Sequence, residues 1–124
     1  MGNRRQQIGK WGENLAAAYL VGKGYKILER NIYTPYGEID IIALHEEDKE
    51  KYLVFVEVKT RTNLEFGNPE DAVTQRKKEH LLAAIEFYLQ EKPELDFSWQ
   101  VDVIAIQKTA PTEAPDIQHF ESIS

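Results

Sequence analysis

Gly37-Glu38-Ile39-Asp40-Ile41-Ile42-Ala43-Leu44 and Tyr52-Leu53-Val54-Phe55-Val56-Glu57-Val58-Lys59 are the two stretches that decide the fold. Each is rich in Ile, Val and other residues that fit a pleated, half-buried surface, so each predicts a strand. Residues 45–51 between them are charged and suit a solvated hairpin tip. Side chains alternate along a strand. Glu57 and Lys59 therefore share a face with Leu53 and Phe55, and Val56 and Val58 take the other. On the preceding strand Asp40 shares a face with Glu38, Ile42 and Leu44, while Ile39, Ile41 and Ala43 turn away. A tight turn centred on Asp48-Lys49 sets Asp40 opposite Glu57, with the Cβ separation of roughly 4.5–5.5 Å found for cross-strand neighbours.

Working outward, residues 4–21 read as a helix with Ile8, Trp11, Leu15, Ala18 and Tyr19 as its apolar stripe, stopped by Gly22 and Gly24. Residues 25–31 predict a short strand, and Thr34-Pro35-Tyr36-Gly37 a turn. After a polar loop over 60–67, Asn68-Pro69-Glu70-Asp71 has the composition of a helix start. Val73, Leu81, Ile85, Tyr88 and Leu89 would be the buried stripe of that helix, and Pro93 would end it. Residues 97–106 alternate as a further strand, with Phe97, Trp99, Val101 and Val103 on one face. Residues 108–116 carry two prolines and read as a linker, and 117–123 as an edge strand. The α-β-β-β-α-β order predicts an α/β domain over 1–107 with a central mixed sheet flanked by helices, and 108–124 as linker and edge strand of the same domain.

The chain's 124 residues suit one core. It has no cysteine, which excludes disulfides and thiolate zinc sites. Residues 1–10 are polar and unlike a secretory leader, and the apolar runs are too short to span a bilayer, so a cytoplasmic protein with no membrane partner is expected. A net charge of −6 argues against a nucleic-acid partner. Its distribution softens that objection. Residues 1–30 hold Arg4, Arg5, Lys10, Lys23, Lys26 and Arg30 against Glu13 and Glu29, and a second basic group is Lys59, Arg61, Arg76, Lys77 and Lys78.

Two opposed carboxylates repel and raise one another's pKa unless a cation lies between them. Hard oxygen donors suit Mg²⁺ or Mn²⁺. Lys59 beside them could hold a water or a phosphate oxygen, which completes the equipment for phosphodiester hydrolysis. A Glu-x-Lys pair alone is more often a cross-strand ion pair. Other residues carry plainer readings. His45, His80 and His119 have no ligand partner at metal spacing. Trp11, Tyr19 and Trp99 are most simply core. Arg61, Lys77 and Lys78 are candidate phosphate contacts, although such runs are usually solvated. Gly22-Lys23-Gly24 lacks the spacing of a nucleotide motif.

Gly37-Glu38-Ile39-Asp40 followed by Phe55-Val56-Glu57-Val58-Lys59-Thr60-Arg61 resembles the YraN-like family of uncharacterised bacterial proteins, placed in the PD-(D/E)XK nuclease superfamily and similar to archaeal Holliday-junction resolvases. Gly9-Lys10-Trp11-Gly12-Glu13, the segment from Gly24 to Asn31, Phe66-Gly67, the helix with Lys78, and Val101-Asp102-Val103 fit the same pattern. Gln100-Val101 departs from it, standing where an arginine-aromatic pair is expected. The resemblance implies a restriction-endonuclease-like fold and a metal-dependent endonuclease acting on DNA, with branched or structured DNA as substrate. It implies Asp40 and Glu57 as ligands of Mg²⁺ or Mn²⁺, the Val58 carbonyl as a third, Lys59 as the residue that positions the water, and Glu13 as an accessory carboxylate. A homodimer is suggested by analogy. The alternative is a catalytically silent nucleic-acid-binding or protein-interaction module on the same fold.

Overall fold

The computed structural model describes residues 4–61, 74–108 and 114–124. Helix α1 (Arg4–Gly22) is followed by strands β1 (Lys26–Thr34), β2 (Gly37–Glu47) and β3 (Glu50–Arg61), helix α2 (Gln75–Glu91), and strands β4 (Ser98–Gln107) and β5 (Asp116–Phe120). The strands form one sheet in the order β1-β2-β3-β4-β5. β3 and β4 are parallel and the other neighbours antiparallel. A parallel pair needs a long crossover, and α2 lies in it. The result is a mixed sheet with a helix packed on each face, an α/β architecture consistent with the expected restriction-endonuclease-like fold. No helix among the described residues is long and apolar enough to cross a membrane.

Strand alternation divides the core in two. Ile41, Ala43, Val54, Val56, Ile104 and Ile106 meet Ala16, Ala17 and Leu20 of α1. Ile42, Leu53, Phe55 and Val101 meet Leu81, Ala84, Ile85 and Tyr88 of α2. Ile39 joins this second cluster, not the first, so strict alternation fails across Asp40. That failure falls just past the last β2–β3 rung, Ile41↔Val56, where pairing no longer holds β2 flat against β3.

The hairpin tip is tighter than residues 45–51 suggested. Strand pairing continues to Glu47↔Glu50, leaving only Asp48 and Lys49 as the turn. Both have positive φ, 52° and 70°, the condition for a two-residue turn whose twist matches its strands. The register from Glu47↔Glu50 to Ile41↔Val56 is the one that a turn at Asp48-Lys49 dictates.

Three expectations need correction. The stripe of α1 centres on Gly12, Glu13, Ala16, Ala17 and Leu20; Trp11, Leu15 and Tyr19 flank it, and Ala18 is exposed. The physical reason is close approach. A Cβ on Gly12 would lie 2.0 Å from Thr60 Oγ1, so a hydrogen at this position lets α1 sit directly on the end of β3. Helix α2 begins at Gln75, where Thr74 in extended geometry caps it by accepting from the Lys77 amide. The expected start at Asn68-Pro69-Glu70-Asp71, Val73 of the expected stripe, and Phe66-Gly67 lie outside the described residues. Trp99 and Phe97 are each 36% exposed, because β4 enters the sheet there. The expected edge strand is β5, which pairs antiparallel with β4. Beyond it, backbone bonds from Ile123 to Val101 and from Val101 to Ser124 tie the chain end to the same strand.

Candidate functional site

At the open end of the β2–β3 ladder a side chain takes over from the backbone. Asp40, one residue past the last rung, accepts the Val58 amide through Oδ2 at 2.8 Å. On β3, Glu57 and Lys59 follow Phe55 with strand spacing and form an ion pair, Nζ to Oε1 at 3.0 Å, both half-buried. From α1, Glu13 reaches the same place. It is 9% exposed, and its Oε1 accepts from Arg30 Nε at 3.0 Å and Asn31 Nδ2 at 2.9 Å. One carboxylate oxygen from each of Glu13, Glu38 and Asp40 lies within 4.8 Å of the others, a spacing that could hold a metal ion.

These residues open into a cleft of about 280 Å³ lined by Tyr36, Gly37, Glu38, Asp40, Glu57, Lys59, Lys77, His80 and Leu81. One wall is β2 and β3, and the other is the first turns of α2. Crowding of like charge perturbs the acids. Burial, then the Glu57 carboxylate, pushes Asp40 up to about 8; the Val58 amide opposes this, and Glu38 and Glu13 add to it. Burial, then Glu13 and Glu57, also pushes Glu38 above the usual carboxylate range. The Lys59 ammonium, with burial and Arg61 behind it, holds Lys77 on the opposite wall below the usual lysine range. The β2–β3 wall thus carries the acids together with Lys59, and Lys77 faces them from α2.

The structure brings Asp40, Glu57, Lys59 and Glu13 together at this end of the sheet. Val58 contributes its amide to Asp40. Of the candidate phosphate contacts, Lys77 lines the cleft and Arg61 lies near it, while Lys78 is half-buried and outside the lining. Tyr36 and His80 line the cleft without having been singled out for it, and Glu38, which could hold a metal from Asp40's strand face but reads more simply as a solvated strand-entry residue, lines it too. Glu38 had a signal: it stands two residues before Asp40 on one strand. His80 had a weaker one, one helical turn after Lys77. For Tyr36 the turn reading gave no direction.

A second acidic group lies on the α1 side of the sheet. Asp102 is fully buried. Its Oδ2 meets His119 Nε2 at 2.7 Å, and its Oδ1 accepts the Ser122 amide and the Gln100 side-chain amide, both at 2.9 Å. A carboxylate only accepts, so Nε2 carries a proton, and Nδ1 meets Tyr19 Oη at 3.2 Å. Gln100, at the position where the resemblance leads to an arginine, thus supplies a donor to Asp102. His119, read as an ordinary tail residue, is part of this network, and His45 stacks flat on Tyr25 with ring centroids 3.9 Å apart.

Residues 12–106 match the model of the uncharacterised protein family UPF0102. The chain belongs to that family. UPF0102 relatives agree along most of its length. It is 41% identical over 117 residues to a UPF0102 protein of Syntrophotalea carbinolica, covering 94% of this chain and 90% of that protein. It is 48% identical over 101 residues to one of Syntrophomonas wolfei, covering 82% and 84%. With the Dehalococcoides mccartyi protein it shares 42% over 111 residues, 90% and 88% of the two chains. The matched UPF0102 span takes in every residue of the cleft lining, from Tyr36 to Leu81, and Glu13 and Asp102, while His119 and Glu121 follow it.

Proposed function

We propose that this UPF0102 chain is a metal-dependent endonuclease that hydrolyses DNA phosphodiester bonds, with branched or otherwise structured DNA as its substrate. One observation carries the reading: where β2 and β3 part, the carboxylates of Asp40, Glu57 and Glu38 stand beside Lys59 in an open cleft, with buried Glu13 within metal-ligand spacing of Glu38 and Asp40. The donor set fits a hard divalent cation, because it is all oxygen and the charge repulsion raising Asp40 is what such an ion relieves. Asp40 and Glu57, with the Val58 carbonyl, would hold Mg²⁺ or Mn²⁺, and Glu13 and Glu38 would add carboxylate charge. The ion would supply Lewis-acid polarisation of the phosphate and a bound water of lowered pKa.

The chain's own groups do the rest. The Val58 amide fixes the Asp40 carboxylate, and Arg30 with Asn31 fixes that of Glu13. Lys59 has three N–H donors and gives one to Glu57, which leaves donors for the attacking water or a phosphate oxygen. Lys77 on the facing wall would bind the phosphate from the other side. Paired cuts in branched DNA would call for a homodimer.

The overall charge of −6 favours a second reading, a catalytically silent nucleic-acid-binding or protein-interaction module. A panel of linear, flapped and four-way DNAs, incubated with Mg²⁺, Mn²⁺ or chelator, separates the two. Cleavage that needs the metal supports the nuclease. Metal-independent binding without cleavage supports the module.

A further inference from the structure

The β1–β2 turn carries two aromatic rings that the core does not use. Tyr33 is 77% exposed and Tyr36 is 54% exposed, among the most exposed large apolar side chains in the described residues. Single exposed aromatics are ordinary. These two differ in their placement. Tyr36 lines the carboxylate cleft, and Tyr33 is the register partner of Glu38, which lines it too. Cross-strand partners stand side by side on one face.

The turn is also built to hold them still. Thr34 Oγ1 donates to the Gly37 carbonyl at 2.7 Å and accepts the Tyr36 and Gly37 amides, each at 3.1 Å. Gly37 has φ of 144°, open to a residue without a Cβ. The Tyr36 ring meets Phe87 of α2 edge-on, with centroids 6.3 Å apart, which leaves the rest of the ring open. Tyr36 thus lines a cleft that also carries Lys59 and Lys77, and Tyr33 stands next to it as the strand neighbour of Glu38.

Resting on the nuclease reading above, we infer that Tyr33 and Tyr36 form a stacking platform for unpaired nucleobases beside the phosphate held in the cleft, so that the substrate is DNA with a single-stranded arm at the cleavage point. Bases in an intact duplex stack on each other and present only their edges. An unpaired base has a free face, and an exposed tyrosine ring offers one in return, with little sequence preference. The cations of the cleft suit the phosphate, and the rings beside them suit the base attached to it. A second copy of this chain could also cover exposed tyrosines, but it would bring its own cleft acids against these.

The test uses the full chain with Ca²⁺ in place of Mg²⁺, so that binding is read apart from cutting. Two DNAs of one sequence carry 2-aminopurine next to the junction, one fully paired and one with a splayed arm. The platform requires that the splayed DNA bind more tightly, by about tenfold per stacked ring, and that its probe fluorescence be quenched on binding. Tyr33→Ala with Tyr36→Ala should bring the two affinities together and relieve the quenching. Tyr33→Phe with Tyr36→Phe should keep both, because the ring and not the hydroxyl does the work. Equal affinities in the parent, or an unchanged preference in the alanine pair, would overturn the platform while leaving metal-dependent cleavage intact. A concentration-dependent dimer that the alanine pair dissolves would overturn it too. Failure to bind or cut any DNA with any metal would remove the nuclease reading and this one together.

Discussion

Among the described residues two places gather carboxylates with spacing that could hold a metal ion: Glu13, Glu38 and Asp40 at the open end of β2–β3, and Asp102, His119 and Glu121 on the α1 side of the sheet. They differ in what surrounds the central aspartate. Asp102 is supplied with donors by its own fold: an imidazole, a backbone amide and a glutamine amide. Asp40 has one backbone amide and is otherwise pressed by Glu57, Glu38 and Glu13. A buried carboxylate with donors is a structural clasp, here holding the β5 end of the chain against β4. A buried carboxylate among carboxylates is unfavourable in the bare protein and becomes favourable with a cation present. The ligand set alone does not distinguish the two; the count of donors does.

The sharpest way to break this contrast is to remove Asp102. In Asp102→Ala the His119 ring, the Ser122 amide and the Gln100 amide lose their acceptor, and breaking such a buried pair costs on the order of 3–5 kcal/mol. Chemical denaturation should register that loss, while metal-dependent cleavage per folded molecule stays at the parent level. Cleavage lost with the fold retained would mean that the two groups are not separate. Lys59→Ala should do the reverse. It leaves the Val56 side of β3 untouched and removes a charge at the phosphate, so cleavage should fall about 10²–10³-fold with Mn²⁺ binding and melting preserved. Single-turnover cutting and calorimetry check this, and cutting at the parent rate would make Lys59 structural.

A smaller effect should come from pH. Asp40 stands at about 8 in the fold against an ordinary 3.8. A folded-state pKa raised in this way gives stability that is full below about pH 4 and is lost as pH rises through about 8. In chelator-treated protein Asp40→Asn should therefore stabilise the fold at about pH 8 and leave it unchanged near pH 4. Urea midpoints at the two pH values measure the difference; an equal gain at both would show that charge repulsion is not what sets Asp40 apart from Asp102. The smallest effect concerns how Glu13 is delivered. Gly→Ala inside a helix ordinarily stabilises by about 0.8–1 kcal/mol. At Gly12 the added methyl would meet Thr60, and overpacking of about 1–3 kcal/mol should outweigh the gain, for a net loss of about 1 kcal/mol. A more stable Gly12→Ala protein would mean that α1 does not need its close seat on β3.

The sequence by itself determined the two central strands, their hairpin register and the pair Asp40 and Glu57. Strand alternation and a two-residue turn are local rules, and residues 37–59 obey them up to the last rung. Lys59 followed from the same alternation, as one more step along β3. Glu13 was reached by resemblance, because its helix stripe was read from large apolar residues. The true stripe runs through Gly12, Ala16 and Ala17, whose smallness matters only once a sheet lies against them. Glu38 and Lys77 were legible as candidates from the sequence, but tertiary structure alone decided that Tyr36 and His80 wall the cleft with them and that His119 clasps Asp102. Those contacts join elements far apart in the chain, and their distances depend on how the helices pack and where the strands part, which no local pattern of residues encodes.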